Sequence, residues 1–213
     1  MNVAVILAAG NSNRFKDTTP KQFQKFGDQM IVEYSINTFL NHSEIDEVLL
    51  LVPNQYLDLI KQKIKGCKIF VGGQTRQESS YIALENCPKE TQNILIHDAA
   101  RPFIDNEIIS NCIKELKNNT AVCPALPCTD TIAKVRDSNI QQILNRNELY
   151  RLQTPQAFNF LILSECHKKI DKDVTDDMSV IQEYGYDTKI ILGSEKNMKI
   201  TYKKDFEIIK ALL

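Results

Sequence analysis

Glycine is scarce in this chain, seven in 213 residues, and its distribution excludes two phosphate-binding devices. No G-x-x-x-x-G-K-[ST] run occurs, so there is no Walker A loop. The three-glycine fingerprint of a dinucleotide fold is also missing. After the apolar run Val3 to Leu7 comes Ala8-Ala9-Gly10, and Ser12 and Asn13 stand where more glycine would be expected. Long apolar runs are lacking as well. Val48-Leu49-Leu50-Leu51-Val52 is far too short to cross a bilayer, and the N-terminus lacks the basic start and apolar stretch of a secretory signal. The six cysteines, Cys67, Cys87, Cys112, Cys123, Cys128 and Cys166, form no C-x-x-C pair. That gives a zinc site little support and reads as reduced, mostly buried thiols. A formal net charge of −1 leaves no general footprint for nucleic acid or a membrane. The expectation is a cytoplasmic protein whose phosphate site, if it has one, is built by local clustering of cations.

What is present is a globular composition, 43% apolar and 25% charged. The length fits one domain over residues 1–213. Short apolar runs predict strands at Val3–Ala8, Glu47–Val52, Lys68–Val71, Asn93–His97 and Ala121–Leu126. Between them, amphipathic spacing predicts helices at Ile31–Asn41, Asn54–Ile64, Gln77–Asn86 and Asn106–Lys117, the last capped by Asp105 or Asn106. Near-continuous apolar strands alternating with helices indicate an α/β fold, a mostly parallel sheet covered on both faces. The pattern breaks after Pro127. Thr131–Val135 and Ile140–Leu144 flank the turn-like Asp137-Ser138-Asn139, which predicts a β-hairpin inserted into the domain. Helical patterns return at Phe160–Lys169 and Asp176–Tyr184, followed by a strand at Thr188–Leu192 and a helix from Lys204.

Open α/β sheets bind ligands beyond the carboxyl ends of their strands, so the residues just after each strand carry the functional information. Ala8, Ala9 and Gly10 leave the backbone open to close approach, and Arg14 and Lys21 add cations suited to phosphate. A plain strand-to-helix connection explains that loop equally well. Gly72-Gly73 before Gln74-Thr75-Arg76 makes a tight turn with accessible backbone donors, or an ordinary connection. His97-Asp98-Ala99-Ala100-Arg101-Pro102 is harder to dismiss, since it puts a carboxylate and a guanidinium at the end of a central strand. Asp98 is a candidate Mg²⁺ ligand; a ligand-free salt bridge to Arg101 is the alternative. The three histidines, His42, His97 and His167, share no motif, and His97 reads as a packed residue at a strand end.

The collinear set LAAG…R…PKQ, GGxxRxxS, HDAARP, DTI, RNxLYxxQTPQxF, TDD and NMKIT resembles the 2-C-methyl-D-erythritol 4-phosphate cytidylyltransferase family over essentially the whole chain. The resemblance implies a Rossmann-like sheet and a homodimer joined through a β-arm, here about residues 128–150. It further implies CTP and the methylerythritol phosphate as substrates, and a divalent cation, Mg²⁺, held largely by CTP. Carried over by position, it implies that Arg14 and Lys21 bind the triphosphate, with Ala8, Ala9 and Gly10 beside the nucleotide. Gly73 and Ser79 are expected at the cytosine, with Arg76 in the same loop, and Asp98, Ala99 and Arg101 around ribose, metal and substrate. Thr131, Arg146, Thr154, Thr175 and Lys199 are expected to hold the sugar phosphate. Arg146 would come from the partner's arm, and Lys199 would lie near the transferring phosphate.

Four positions depart from the family pattern: Ser12 for a glycine, Phe15 for methionine, Thr75 for an acidic residue and Ser80 for valine. Three alternatives stand beside the main reading. A ribitol-5-phosphate cytidylyltransferase shares PKQ, RNE and QTPQ. A non-catalytic nucleotide-binding scaffold would have no need of cations at every motif position. An NAD-dependent dehydrogenase would need the missing glycines.

Overall fold

A computed structural model describes residues 1–10, 15 and 17–210. In chain order the first half comprises β1 (Asn2–Leu7), a small ribbon of β2 (Lys25–Phe26) and β3 (Gln29–Met30), α1 (Ile31–Leu40), β4 (Glu47–Val52), α2 (Leu57–Lys63), β5 (Lys68–Val71), α3 (Arg76–Asn86), β6 (Asn93–Asp98) and α4 (Asn106–Glu115). The second half adds β7 (Ala121–Pro127), β8 (Ala133–Arg136), β9 (Asn139–Ile143), β10 (Tyr150–Leu152), β11 (Gln156–Asn159), α5 (Phe160–Lys169), α6 (Asp177–Glu183), β12 (Thr188–Leu192) and α7 (Lys204–Lys210).

Among the described residues, eight strands form one mixed sheet in the order β10-β7-β11-β6-β1-β4-β5, with β12 paired to β7. Strands β6, β1 and β4 and the edge strand β5 are mutually parallel, as the apolar runs separated by helices predict, with helices on both faces of the sheet. Alternate β1 side chains divide between two cores. Ala4 and Ile6 pack with Ile36, Phe39, Ile60 and Ile109 from α1, α2 and α4. Val3 and Val5 face the other way, in a core with Ala83, Leu163 and Ile181 from α3, α5 and α6.

Four strands were not legible in advance: the β2–β3 ribbon, β10 and β11. β11 runs antiparallel between β6 and β7, and β10 runs antiparallel to the far end of β7. The Gln153-Thr154-Pro155 corner separates them, and its Thr154–Pro155 bond is cis. The expected hairpin is present as β8 and β9, reversed by Asp137 and Ser138 at φ 48° and 63°. Positive φ at both central residues belongs to the turn that matches strand twist, and Asp tolerates it. The helix expected from Asn54 begins instead as a 3₁₀ turn, Asn54–Tyr56, before α2. Asp105 caps α4 by accepting the Glu107 N–H at 2.8 Å. No helix among the described residues is long and apolar enough to cross a membrane.

The register places function. Leu7 ends β1 opposite Leu51 on one side and Asp98 on the other, so the loops after β1, β5 and β6 open at one edge of the sheet.

Candidate active site

A cleft of about 420 Å³ lies at that edge. It is lined by Ala9 and Gly10 after β1, Lys21 from a 3₁₀ turn, and Gly73, Arg76 and Ser79 after β5. Asp98 at the end of β6, Ala99 just after it and Lys199 after β12 also line it. Ala8 lies buried beneath the opening of the loop. Residues expected from the resemblance to lie near the nucleotide, Ala9, Gly10, Gly73, Arg76, Ser79, Asp98 and Ala99, therefore line one cleft. Arg14 and Ser12 lie outside the described residues.

Close packing shapes the loops. A Cβ on Gly72 would stand 2.5 Å from the Ala9 side chain, so the loops after β1 and β5 can approach this closely only with glycine there. Ser79 is buried; its Oγ accepts the Gly73 N–H at 3.1 Å and donates to the Thr75 carbonyl at 2.9 Å. Gln22 was singled out only as part of PKQ, yet it ties down the opening loop. Its Nε2 donates to the Ala8 carbonyl at 2.7 Å and the Gly10 carbonyl at 2.9 Å.

Asp98 is the electrostatic centre. Lys199 Nζ lies 2.7 Å from Oδ2, Arg101 Nε 3.7 Å from the same oxygen, and Arg76 Nε 3.6 Å from Oδ1. Burial alone would raise the Asp98 pKa, but Lys199, Arg76 and Arg101 together hold it well below the usual carboxylate range. The group is ionised. Two guanidinium nitrogens beneath the cleft, Arg76 Nη2 and Arg101 Nε, are buried without a hydrogen-bond acceptor. Of the two, only Arg76 lines the cleft, and a guanidinium with an orphaned donor there suits an anionic ligand that brings more oxygens than Asp98 supplies.

Behind this centre lies a second buried carboxylate that sequence reasoning missed. Asp177, at the start of α6, accepts Arg76 Nη1 at 2.5 Å, Ser80 Oγ at 3.1 Å and His167 Nε2 at 2.9 Å. Arg76 therefore bridges Asp177 and Asp98. The TDD motif contained Asp177, but nothing in its spacing marked it as the partner of a residue on α3.

His97 is packed, as expected. Its Nε2 donates to the Arg101 carbonyl at 3.0 Å, and its Nδ1 accepts from Thr154 Oγ1 at 3.1 Å. Burial pushes its pKa down to about 4, so the ring is neutral and suited to this donor-acceptor pair. Thr154 Oγ1 in turn accepts the Asp98 N–H at 3.0 Å.

The residues expected at the sugar phosphate are dispersed within one chain. Thr154 is buried, with its hydroxyl engaged by His97 and Asp98. Arg101 is buried behind Asp98, and its Nη1 donates to the Asn197 carbonyl at 2.7 Å. Thr175 is exposed ahead of α6. Thr131 and Arg146 are exposed on the arm, where Arg146 Nη1 donates to the Thr129 carbonyl at 3.3 Å. None of these five lines the cleft.

A model of the 2-C-methyl-D-erythritol 4-phosphate cytidylyltransferase family matches residues 2–213. The chain belongs to this family. A member from Caldicellulosiruptor saccharolyticus is 38% identical across 99% of this chain and 96% of its own length. One from Clostridium beijerinckii is 39% identical across 95% and 93%. A solved 4-diphosphocytidyl-2C-methyl-D-erythritol synthase from Anaerococcus prevotii superposes with a TM-score of 0.87 at 26% identity, covering 99% of this chain and 95% of that one.

Three departures from the cytidylyltransferase pattern acquire local reasons. Thr75 Oγ1 caps α3 by accepting the Glu78 N–H at 3.0 Å, while the Glu78 carboxylate accepts the Gln74 N–H at 2.6 Å. Ser80 is fully buried on Asp177. Phe15 is buried against Phe206, ring centroids 5.3 Å apart, and lines the cleft.

Cytidylyltransferases, like other nucleotidyltransferases, generally use a divalent metal. Among the described residues no group of three His, Cys, Asp or Glu side chains forms a cage. One ionised carboxylate beside a cleft nonetheless fits a Mg²⁺ that keeps waters and arrives with substrate phosphates. Asp98 is the residue that would hold it.

Proposed function

We infer that this chain transfers CMP from CTP to 2-C-methyl-D-erythritol 4-phosphate, giving 4-diphosphocytidyl-2-C-methyl-D-erythritol and pyrophosphate in non-mevalonate isoprenoid synthesis. The observation that carries the reading is a cleft lined by Lys21, Arg76, Asp98 and Lys199 in a chain matched by the family along residues 2–213. An oxygen of the sugar phosphate attacks the α-phosphorus of CTP. That P–O bond forms as the bond to the β-phosphate breaks, and pyrophosphate leaves with the electron pair. The nucleophile is already an anion, so no strong general base is required. The difficulty is bringing an anion to a polyanion, which positioned cations relieve.

Lys21 and Arg14 are assigned to the triphosphate, and Lys199 to the transferring phosphate. Ala8, Ala9, Gly10, Gly73, Arg76, Ser79 and Ala99 are assigned to the nucleotide. Mg²⁺, when bound, would neutralise phosphate charge, with Asp98 as its protein ligand. We assign Arg101, Thr131, Arg146 and Thr175 to the sugar phosphate, and Thr154 to the same site through the His97 ring and the Asp98 N–H that its hydroxyl holds. A homodimer is proposed because Thr131 and Arg146 sit on an arm whose Val135, Ile140 and Ile143 are 56%, 66% and 56% exposed. Apolar residues that open on a hairpin fit a partner's surface. We take residues 1–213 as one catalytic domain with the arm at about 128–150. The cytoplasm is its proposed location, supported by six unpaired cysteines and a nucleotide substrate.

Purified protein given CTP with each sugar phosphate tests the reading through pyrophosphate release. Preference for the methylerythritol phosphate is expected. Preference for ribitol 5-phosphate, the reading the relatives do not favour, would overturn it.

A further inference from the structure

Lys199 lies in the irregular segment between β12 and α7, yet its amine is held 2.7 Å from Asp98. A polar clamp beneath the segment accounts for this. Gln153 is 5% exposed and Asn197 is fully buried. Gln153 Nε2 donates to the Ser194 carbonyl at 2.8 Å, and its Oε1 accepts the Ser194 N–H at 3.1 Å. The amide thus pairs with both backbone groups of one residue, as a neighbouring strand would. Gln153 Nε2 also reaches the Asn197 carbonyl at 3.3 Å, and Asn197 Nδ2 donates to the Thr154 carbonyl at 2.8 Å. On the other side of Lys199, the Ile200 N–H donates to the Ala100 carbonyl at 2.8 Å. Gly193 is shaped to the same clamp, since a Cβ there would collide with the Gln153 amide oxygen.

We propose that Gln153, together with Asn197, is a positioning residue that docks residues 193–199 and so delivers Lys199 to Asp98 and the transferring phosphate. Neither amide lines the cleft; both act through the lysine. Truncating Gln153 leaves the Ser194 backbone groups unpaired in a partly buried place, and the segment must shift to satisfy them. A displacement of about 1 Å at a reacting group is enough for a loss of about 100-fold. The inference rests on Lys199 acting at the phosphate, as read above.

A double-mutant cycle tests it. Gln153→Ala, Lys199→Ala and the double variant are compared in single-turnover reactions with CTP and the methylerythritol phosphate, with folding verified by thermal melts. Gln153→Ala is expected to lower the rate about 100-fold while leaving the KM for CTP little changed. In the Lys199→Ala background it should cost less than about 2-fold, because its target is gone. An equal loss in both backgrounds, the mark of a merely structural role, overturns the inference while leaving the reaction assignment intact. A Lys199→Ala chain as fast as wild type overturns the role of Lys199 itself, and the inference with it. Should Gln153→Ala fold poorly, Gln153→Glu keeps the acceptor for Ser194 and removes the donor. Its second readout is the rate of reductive methylation of Lys199, followed by mass spectrometry. Faster labelling supports the clamp; an unchanged rate overturns it.

Discussion

Lys199 Nζ and Asp98 Oδ2 meet at 2.7 Å across a carboxylate that Arg76 and Arg101 also face, at 3.6 and 3.7 Å. One anion therefore holds three cations in register. Replacing it by a neutral amide leaves those cations to repel one another and releases Lys199 from its position. Asp98→Asn is expected to lower kcat by about 100-fold or more, measured as pyrophosphate release at saturating substrates. An unchanged kcat would remove Asp98 from the mechanism.

The central strands were legible because they are buried on both faces, so Val48 to Val52 read as an uninterrupted apolar run. β11 was not legible. Its four residues, Gln156–Asn159, include buried Gln156 and follow Pro155, which resembles a loop until two neighbouring strands enclose it. The cleft residues were recognisable because they cluster at strand ends. Asp177 and Gln153 were not, although both fall inside the quoted motifs. Their partners, Arg76 and Ser194, lie 101 and 41 residues away, and pairing over such separations leaves no periodic trace. Ser80 was noted as an oddity, and its reason, the Asp177 carboxylate, appears only in three dimensions.

Asp177 is the next test, because its carboxylate is 1% exposed and joins α3, α5 and α6. Burial alone would raise its pKa, but Arg76 and then His167 hold it below the usual value. A depressed folded-state pKa contributes stability that is fully present above the unfolded value, about 3.9. That stability is lost as pH falls through the lower, folded value. Asp177→Asn should cost about 3–5 kcal/mol near neutral pH, since it leaves Arg76 buried beside a neutral group. The difference from wild type should shrink below about pH 4. Urea unfolding of both chains across pH measures this, and a difference independent of pH would contradict the ion-pair account.

His97 acts in the same direction, in a higher pH window. Its ring is fully buried and neutral, with a pKa pushed down to about 4, against about 6.5 in the unfolded chain. Between these values the unfolded chain binds more protons, so stability falls as pH drops through the window. The contribution amounts to about 3 kcal/mol over the full range. His97→Gln keeps a donor and an acceptor but does not titrate, so its stability should vary less between pH 6.5 and pH 4. Unfolding is measured without CTP or metal, which keeps the neighbouring Asp98 free of added charge. Equal slopes for the two chains would show that His97 is not the group that titrates.

The last relationship concerns residues that do not meet within one chain. Lys21 lines the cleft, whereas Arg146 is exposed on the arm beyond the β8–β9 hairpin. If a two-fold dimer brings each arm to the partner's cleft, every site draws Lys21 from one subunit and Arg146 from the other. Lys21→Ala and Arg146→Ala should each lower turnover by about 100-fold or more while leaving the fold intact. Mixed in equal amounts and allowed to exchange, the two inactive chains form heterodimers in about half of the pairs. Each heterodimer holds one site with both cations and one with neither, so the mixture should recover about a quarter of wild-type activity. Activity that stays at the level of the separate variants after exchange, verified by native mass spectrometry, would place Arg146 and Lys21 in the same subunit's site.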